Sequence, residues 1–243
     1  MRRVFDILAG FMALPLVDLA TVLGGERAIV LAPHADDESL GCGGLIAAAS
    51  AAGIAPIVVI LTDGTASHPG SAAFPPERVR AVREAEAARA TSMLGLPPEN
   101  IHFLRHPDTK LPRSGPVFER ITATLLELAR ARHCGLIIAP WAGDPHCDHE
   151  AAARIGDVVA DCGHWRLLSY PVWGWLRNDT DMLDEPRRNG WRLNLAAQRE
   201  VKKRAIAAHE SQYGNLIHDS PNGFKLPDNL LAIFDRPFEV FIA

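Results

Sequence analysis

Short apolar runs alternate with longer segments of helical periodicity along most of the chain. The runs are rich in β-branched residues and predict strands at 27–32, 54–62, 101–105, 136–139 and 166–170. Apolar residues at near-helical spacing predict helices over 77–94 and 118–132. This alternation is typical of βα units, so we expect an α/β fold with a mostly parallel sheet flanked by helices.

The pattern changes after Tyr170. Residues 171–190 are rich in Trp, Asp, Arg and Pro and predict a long loop, which in a compact domain is usually functional. A helix is expected over 196–212. The apolar runs 230–234 and 238–242 flank Asp235-Arg236-Pro237 and predict a C-terminal β-hairpin.

The first 25 residues form a segment of their own character. Two arginines precede an apolar stretch over 7–16, which predicts an N-terminal helical segment broken near Pro15. We expect it to pack on the domain or to serve at an interface. A secretory signal or surface anchor is the alternative, against which Asp6 and Asp18 count. Residues 26–243 are predicted to form a single domain.

Composition narrows the range of partners. The chain has 243 residues, a net charge of −4 and no long basic run, which argues against a nucleic-acid partner. The four cysteines are widely spaced without a CxxC pair, which argues against a disulfide framework and a structural zinc knuckle. We therefore expect a cytoplasmic protein, with membrane association an open but less favoured alternative.

Two polar clusters follow two of the predicted strands. One is His34-Ala35-Asp36-Asp37-Glu38, and the other spans residues 144–150 with the imidazoles of His146 and His149. Ligands of open α/β sheets bind beyond the carboxyl ends of the strands, so the two clusters are expected to meet. Either cluster alone could be a helix N-terminus rich in capping acids. The presence of both at strand ends favours one divided metal site.

The spacing suggests a role for each side chain. His34 and Asp37 lie three residues apart on a strand-to-helix turn, and His149 from the second loop completes a set of three ligands. A catalytic zinc takes three protein ligands and keeps one position for water, whose pKa it lowers to about 7. Zn²⁺ is the expected cofactor, and such ligands also suit other divalent metals such as iron, cobalt or manganese.

The remaining polar residues of the clusters are candidates for proton transfer. Asp36 is adjacent to a ligand but free to face the water, so it is the expected general base. His146 is expected to protonate the leaving group or to stabilise the oxyanion. Asp148 is expected to hold the His146 imidazole in its tautomer.

These clusters resemble the motifs of a known family. Residues 33–38, PHADDE, and 146–149, HCDH, are similar to the (P/A)HPDDE and HPDH motifs of the LmbE-like, or PIG-L, zinc-dependent deacetylases. The weaker matches LTDG at 61–64, RxxE at 83–86 and AHESQ at 208–212 extend the resemblance over most of the chain. Ala35 and Cys147 replace the motif prolines, so both turns lose a fixed φ.

The resemblance implies a Rossmann-like fold and removal of an acetyl group from an N-acetylglucosamine unit of a small molecule or glycoconjugate. It assigns the metal ligands and proton-transfer residues as above. It also places Arg83 and Asp108 where family members hold sugar hydroxyls, and His209 where a histidine lines the pocket. A solvated helix charge is the alternative for Arg83, and a capping or core role is the alternative for His209. Asp144 stands where some relatives carry a tyrosine.

Other functions remain open at this point. The chain could be a non-catalytic domain that binds a sugar or a partner and keeps the metal for structure. It could also hydrolyse another acylated metabolite as an amidase or esterase. Structural zinc is usually closed by four protein ligands, and only three are evident here, which favours catalysis.

Overall fold

The computed structural model describes residues 1–185, 189–214 and 216–243. Its strands are β1 (Arg2–Arg3), β2 (Leu16–Val17), β3 (Arg27–Ala32), β4 (Ile57–Thr62), β5 (Ile101–His106), β6 (Cys134–Pro140), β7 (Arg166–Tyr170), β8 (Met182–Leu183), β9 (Gly190–Asn194) and β10 (Phe238–Ile242). Its helices are α1 (Val4–Met12), α2 (Leu19–Leu23), α3 (Asp37–Ala51), α4 (Pro76–Met93), α5 (Gly115–Ala131), α6 (Cys147–Gly163), α7 (Arg199–Ala207), α8 (Glu210–Tyr213) and α9 (Asp228–Phe234).

The central sheet has eight strands in the order β2-β9-β10-β7-β6-β3-β4-β5. The five strands from β7 to β5 are parallel, and β10 is antiparallel to both of its neighbours. The mostly parallel α/β sheet predicted from the sequence is therefore confirmed. The chain proceeds to one side of β3 through β4 and β5, and to the other side through β6 and β7. The switch point of the sheet thus lies between β3 and β6, the two strands that precede the polar clusters.

Helices cover both faces of the sheet, which explains why the central strands are apolar at nearly every position. Val30 and its even-numbered neighbours pack in a cluster with α3, α4 and α7, whereas Ile29 and Leu31 pack in a cluster with α5 and α6. Successive side chains of a strand point to opposite faces, so a strand covered on both sides reads as a continuous apolar run. The predicted strands and the helices α4 and α5 lie within a few residues of their observed bounds.

Two predictions near the C-terminus are wrong. Residues 230–234 belong to helix α9, which begins after Pro227 and buries Leu230 and Phe234 one turn apart. The antiparallel partners of β10 are β9 and β7 rather than that run, so the predicted hairpin does not form. The helix predicted over 196–212 is interrupted at Ala208 and His209 and appears as α7 and α8.

The segment predicted as a long loop over 171–190 contains short regular pieces. A 3₁₀ turn spans Trp173–Leu176, and β8 pairs with β1 at the N-terminus. The part of this prediction that falls on 186–188 lies outside the described residues.

The N-terminal segment packs on the domain. Ile7 and Phe11 of α1 are buried in a cluster with Trp141 and Val240, and the Phe11 and Trp141 rings meet edge to face at 5.2 Å. Helix α1 ends before Pro15, as the sequence predicts. The division of the chain into an N-terminal segment up to residue 25 and a domain from residue 26 stays a prediction. Among the described residues, no helix combines the length and apolar character needed to cross a membrane.

Gly41 lets helix α3 approach the sheet. A Cβ at this position would overlap the ring of Tyr170, whose hydroxyl donates to the carbonyl oxygen of Leu31 at 2.8 Å. We expect Gly41→Ala to lower the free energy of unfolding by about 1–3 kcal/mol, because an overpacked core must shift backbone or ring. Chemical denaturation measures the change. Gly10→Ala on the exposed face of α1, where a Cβ meets only ordinary contact, is the control and should not destabilise.

Candidate active site

The loop from β3 to α3 is held in an unusual backbone conformation. Asp36 has φ 157° and ψ −29°, values that residues with a side chain rarely adopt. Its amide donates to Glu38 Oε2 at 3.0 Å, and the carbonyl oxygen of Pro33 accepts from the amide and hydroxyl of Thr62. Bonds from both sides therefore fix the strained residue in place, a situation common at functional sites.

The loop from β6 to α6 presents two imidazoles. His146 is the N-cap of α6, and its Nδ1 accepts from the Asp148 amide at 3.2 Å, which places the ring proton on Nε2. His149 lies in the first turn of the helix and is fully buried. The rings of His146 and His149 are 5.3 Å apart between centroids.

The two loops meet at the carboxylate of Asp37. Its Oδ2 lies 3.2 Å from His34 Nδ1 and 3.3 Å from His149 Nε2. Nitrogen and oxygen ligands at about 2.0–2.1 Å from a tetrahedral zinc are roughly 3.3 Å from one another. The Asp37 carboxylate therefore lies at such a separation from each of the two imidazoles predicted as metal ligands, whose ring centroids are 5.6 Å apart.

The surroundings of His149 test whether these residues fit a metal. Its Nε2 is buried and makes no hydrogen bond, whereas its Nδ1 contacts Asp144 Oδ2 at 2.9 Å. A buried ring nitrogen without a hydrogen bond is costly, and a cation between it and Asp37 Oδ2 would satisfy it. A ligating histidine usually donates its other ring N–H to a carboxylate. The donor set and its outer partner thus fit a divalent metal.

Asp144 was not assigned a role from the sequence. Its fully buried carboxylate accepts the amides of Val172, Trp173 and Gly174, at 2.9, 3.2 and 2.7 Å, in addition to the His149 contact. It therefore ties a metal-ligand candidate to the segment that follows β7. Its place five residues before His149 was an available signal, since ligating histidines commonly have a carboxylate partner.

Asp148 contacts a different histidine from the one expected. Its Oδ2 lies 3.1 Å from His34 Nε2. Its contact with His146 is a hydrogen bond from the Asp148 backbone amide to the ring. The amides of Thr109 and Leu111 donate to this carboxylate at 2.7 and 3.0 Å and aim it toward the β5 side of the site. The carboxylate of Asp148, expected to hold the His146 tautomer, thus contacts His34 instead, and the backbone amide of Asp148 is the group that bonds the His146 ring.

Asp108 also contacts the His34 ring. Its Oδ1 lies 3.2 Å from His34 Nε2, and its Oδ2 accepts the Ala66 amide at 3.0 Å. Burial by itself would lower the pKa of His34, but the carboxylates of Asp108, Asp148 and Asp37 outweigh it and raise that pKa well above its usual value. The pocket around this imidazole thus attracts positive charge.

The charges of the site also shift the pKa values of other titratable groups. Burial alone would lower the pKa of His149, but Asp37 and Asp144 raise it to about 9. Burial alone would raise the pKa of Asp37, but His149 and His34 hold it below its usual range. Burial, with His34 and His149 nearby, lowers the pKa of His146. Protons and a divalent cation would compete for this cluster.

Asp36 faces a buried arginine. Burial raises the pKa of Asp36 to about 6, although the Arg83 guanidinium at 3.6 Å opposes the rise. Arg83 also donates to the carbonyl oxygens of Gly64 at 3.2 Å and Ala35 at 3.0 Å. It is 3% exposed, so it is not a solvated helix charge. Arg83 both lines the cavity and supports the loop that carries Asp36.

The structure places His209 behind the site. Its Nε2 lies 3.0 Å from Glu38 Oε1 and 3.2 Å from Ser39 Oγ, and the ring is fully buried away from the cavity wall. The expectation that His209 lines the pocket is therefore corrected. Glu38 also accepts a hydrogen bond from the Asp36 amide, so His209 stabilises the strained loop through Glu38.

A cavity of about 760 Å³ opens in front of the cluster. Its charged lining residues include His34, Asp36, Asp37, Arg83, Asp108 and His146. Trp173 also contributes to the wall, whereas Trp141 is buried against α1. The predicted ligands His34 and Asp37, the base Asp36 and the acid His146 therefore border one accessible space, whereas His149 is fully buried.

A family comparison agrees with this geometry. The sequence profile described as PIG-L, GlcNAc-PI de-N-acetylase, matches residues 29–160, just over half of the chain. The chain belongs to the PIG-L family. The matched part of this PIG-L protein runs from β3 into α6 and contains both polar loops, whereas Trp173 and His209 lie beyond it.

Individual relatives support the assignment. Diacetylchitobiose deacetylase from Thermococcus kodakarensis is 26% identical over 206 residues, which cover 77% of this PIG-L protein and 70% of the relative. A conserved protein from Thermus thermophilus has a similar fold, with a TM-score of 0.63 at 24% identity over 90% of this chain and 94% of that chain. The N,N'-diacetylchitobiose deacetylase of Pyrococcus horikoshii has a TM-score of 0.61 at 20% identity over 93% and 87% of the two chains.

Proposed function

We propose that this protein is a metal-dependent hydrolase that removes the N-acetyl group from a substrate containing N-acetylglucosamine. The observation that carries the proposal is the meeting of His34, Asp37 and His149 beside a cavity, with the buried Nε2 of His149 lacking a hydrogen bond. The similarity to a diacetylchitobiose deacetylase supports the reaction class. The products would be a free amine and acetate.

His34, Asp37 and His149 would hold the metal. Zinc suits two imidazoles and a carboxylate, and iron, cobalt or manganese are the alternatives. A divalent cation in such a site polarises a carbonyl and lowers the pKa of a coordinated water to about 7. Asp144 behind His149, and Asp108 and Asp148 behind His34, would fix the orientation of the two rings.

Asp36 is the proposed general base. It lies next to a ligand, lines the cavity and is held by the strained loop conformation. Its carboxylate would accept a proton from the water that attacks the acetamide carbon. When the C–N bond breaks, the amine nitrogen takes a proton from Asp36 or from His146 Nε2, and acetate departs. Water and amide are thus converted to amine and acetate.

His146 would act at the developing oxyanion or at the leaving amine. Its Nδ1 is occupied by the Asp148 amide, so its Nε2–H is the group available for donation. A positioned donor of this kind stabilises charge in the transition state without reorganisation. Asp148 contributes through its backbone to His146 and through its carboxylate to His34.

Arg83 and Asp108 are the proposed sugar contacts. Both line the cavity, where Arg83 lies close to Asp36 and Asp108 lies close to His34. A guanidinium and a carboxylate can bond sugar hydroxyls while they keep their contacts to the loop.

The experiment that tests the proposed function combines metal analysis with acetate release over a panel of N-acetylglucosamine conjugates. We expect about one divalent metal per chain and acetate from at least one conjugate, and loss of both in His34→Ala. Metal without acetate from any amide sugar would instead support a non-catalytic domain. Release only from esters or from other acylated metabolites would support a different hydrolase.

A further inference from the structure

The cavity lining combines charged and apolar side chains. His34, Asp36 and Asp37 are among the charged ones, whereas Trp173, Leu176 and Phe224 contribute apolar surface. A volume of about 760 Å³ lies in the range of pockets that bury drug-sized ligands. An amino sugar seated with its acetamide beside Asp37 would leave these apolar side chains for another part of the same molecule.

The apolar wall is built from two separate segments. Trp173 and Leu176 come from the 3₁₀ turn after β7, and Phe224 comes from the chain between α8 and α9. The Trp173 and Phe224 rings meet edge to face, with centroids 5.8 Å apart and an angle of 77° between the planes. Two rings set at nearly a right angle form an apolar corner rather than a single flat platform.

Hydrogen bonds of the backbone fix the positions from which both rings project. The amide of Trp173 donates to Asp144, and the amide of Phe224 donates to the carbonyl oxygen of Ser67 at 2.8 Å. Ser67 itself lines the cavity. A wall that is ordered before the ligand arrives loses little conformational entropy on binding.

Packing alone does not account for these side chains. Trp141 is 2% exposed and lies against α1, as expected for an aromatic residue of the core. Trp173, Leu176 and Phe224 are only partly buried and border the cavity. Apolar side chains that stay partly exposed inside a concave site are available to a ligand.

We propose that the substrate is a conjugate in which the N-acetylated sugar carries an apolar aglycone, and that Trp173, Leu176 and Phe224 bind this aglycone. The inference rests on the proposed function and adds the class of substrate. A second sugar is the competing occupant. It could bond Gln212, Asn222 and Lys225, which also line the cavity, whereas Trp173, Leu176 and Phe224 offer mainly apolar contact.

The test compares kcat/KM for acetate release from three substrates: free N-acetylglucosamine, N,N'-diacetylchitobiose, and an aryl or octyl glycoside of N-acetylglucosamine. We expect the apolar glycoside to exceed the other two by about 10- to 100-fold, the gain that corresponds to burial of one apolar group. The aglycone lies far from the bond that breaks, so the gain should appear in KM rather than in kcat.

Variants of the apolar wall test whether Trp173 and Phe224 cause the preference for the apolar glycoside. Trp173→Ala and, separately, Phe224→Ala should each reduce the ratio of kcat/KM between the apolar glycoside and the free sugar by about tenfold. Trp173 bonds Asp144 through its amide, so Trp173→Ala could also disturb folding. Phe224→Ala tests the same wall without that contact. Phe5→Ala, an exposed aromatic residue on α1, is the matched control and should leave the ratio unchanged.

The outcomes separate this inference from the proposed function. Acetate from no substrate would overturn both. Acetate from all three with equal kcat/KM, or a preference for the disaccharide over the apolar glycoside, would overturn only the aglycone inference. An apolar preference that survives in both wall variants would also overturn it, since the preference would then arise elsewhere.

Discussion

Asp36→Asn should lower kcat for acetate release by about 10²- to 10⁴-fold, the usual contribution of a general base, while the protein keeps its metal. The amide has the size of the carboxylate but cannot accept the proton of the attacking water. The carboxylate is not among the groups that meet at Asp37 Oδ2, so the metal should remain bound. Steady-state kinetics together with metal analysis measures both effects.

Two comparison variants make this result specific. His34→Ala removes a proposed ligand and should lose metal and turnover together, in contrast to Asp36→Asn. Asp161→Asn makes the same chemical change at an exposed position near the end of α6 and should behave as wild type. Turnover of Asp36→Asn close to that of Asp161→Asn would show that another group accepts the proton.

The central sheet could be predicted from the sequence because its strands are covered on both faces. Each is a short apolar run bounded by polar or turn residues, and β3 and β7 have the predicted bounds. A short apolar run predicts the wrong element near the C-terminus. The apolar run 230–234 is too short for its period to separate strand from helix, and Pro227 at the N-cap of α9 was the better guide.

The site could be predicted as far as its sequence motifs reach. Both polar loops follow adjacent parallel strands, so the topology requires that they meet, and His34, Asp37 and His149 do so. The direction of a side chain within a loop is not encoded in spacing. Asp148 is next to His149 in sequence but turns toward His34, because the amides of Thr109 and Leu111 on the neighbouring loop donate to its carboxylate.

Contacts between distant segments were beyond the sequence pattern. His209 interrupts the predicted helix over 196–212, with φ −82° and ψ 62°, where its imidazole meets Glu38. Nothing in the apolar period of that segment marks the break. Asp144 likewise gains its role from the amides of residues 172–174, some thirty positions later in the chain.

Asp144 carries the second large prediction, which concerns metal affinity. Its carboxylate contacts His149 Nδ1 at 2.9 Å and would keep the ring oriented with Nε2 toward Asp37. Loss of such an outer partner typically weakens metal binding by about 10- to 100-fold. Asp144→Asn removes the negative charge and replaces one acceptor oxygen with a donor that faces amide N–H groups, so we expect a loss in that range.

Metal dissociation constants from competition with a chelator measure this effect, and they do not depend on turnover. The same carboxylate accepts amides from Val172 to Gly174, so the melting temperature of metal-free protein must be followed in parallel. A positioning role predicts weaker metal binding together with kcat that recovers at saturating metal. Unchanged metal affinity with only a lower melting temperature would assign Asp144 to loop structure alone. Asp161→Asn again controls for the chemical change, because its exposed carboxylate lies outside the site.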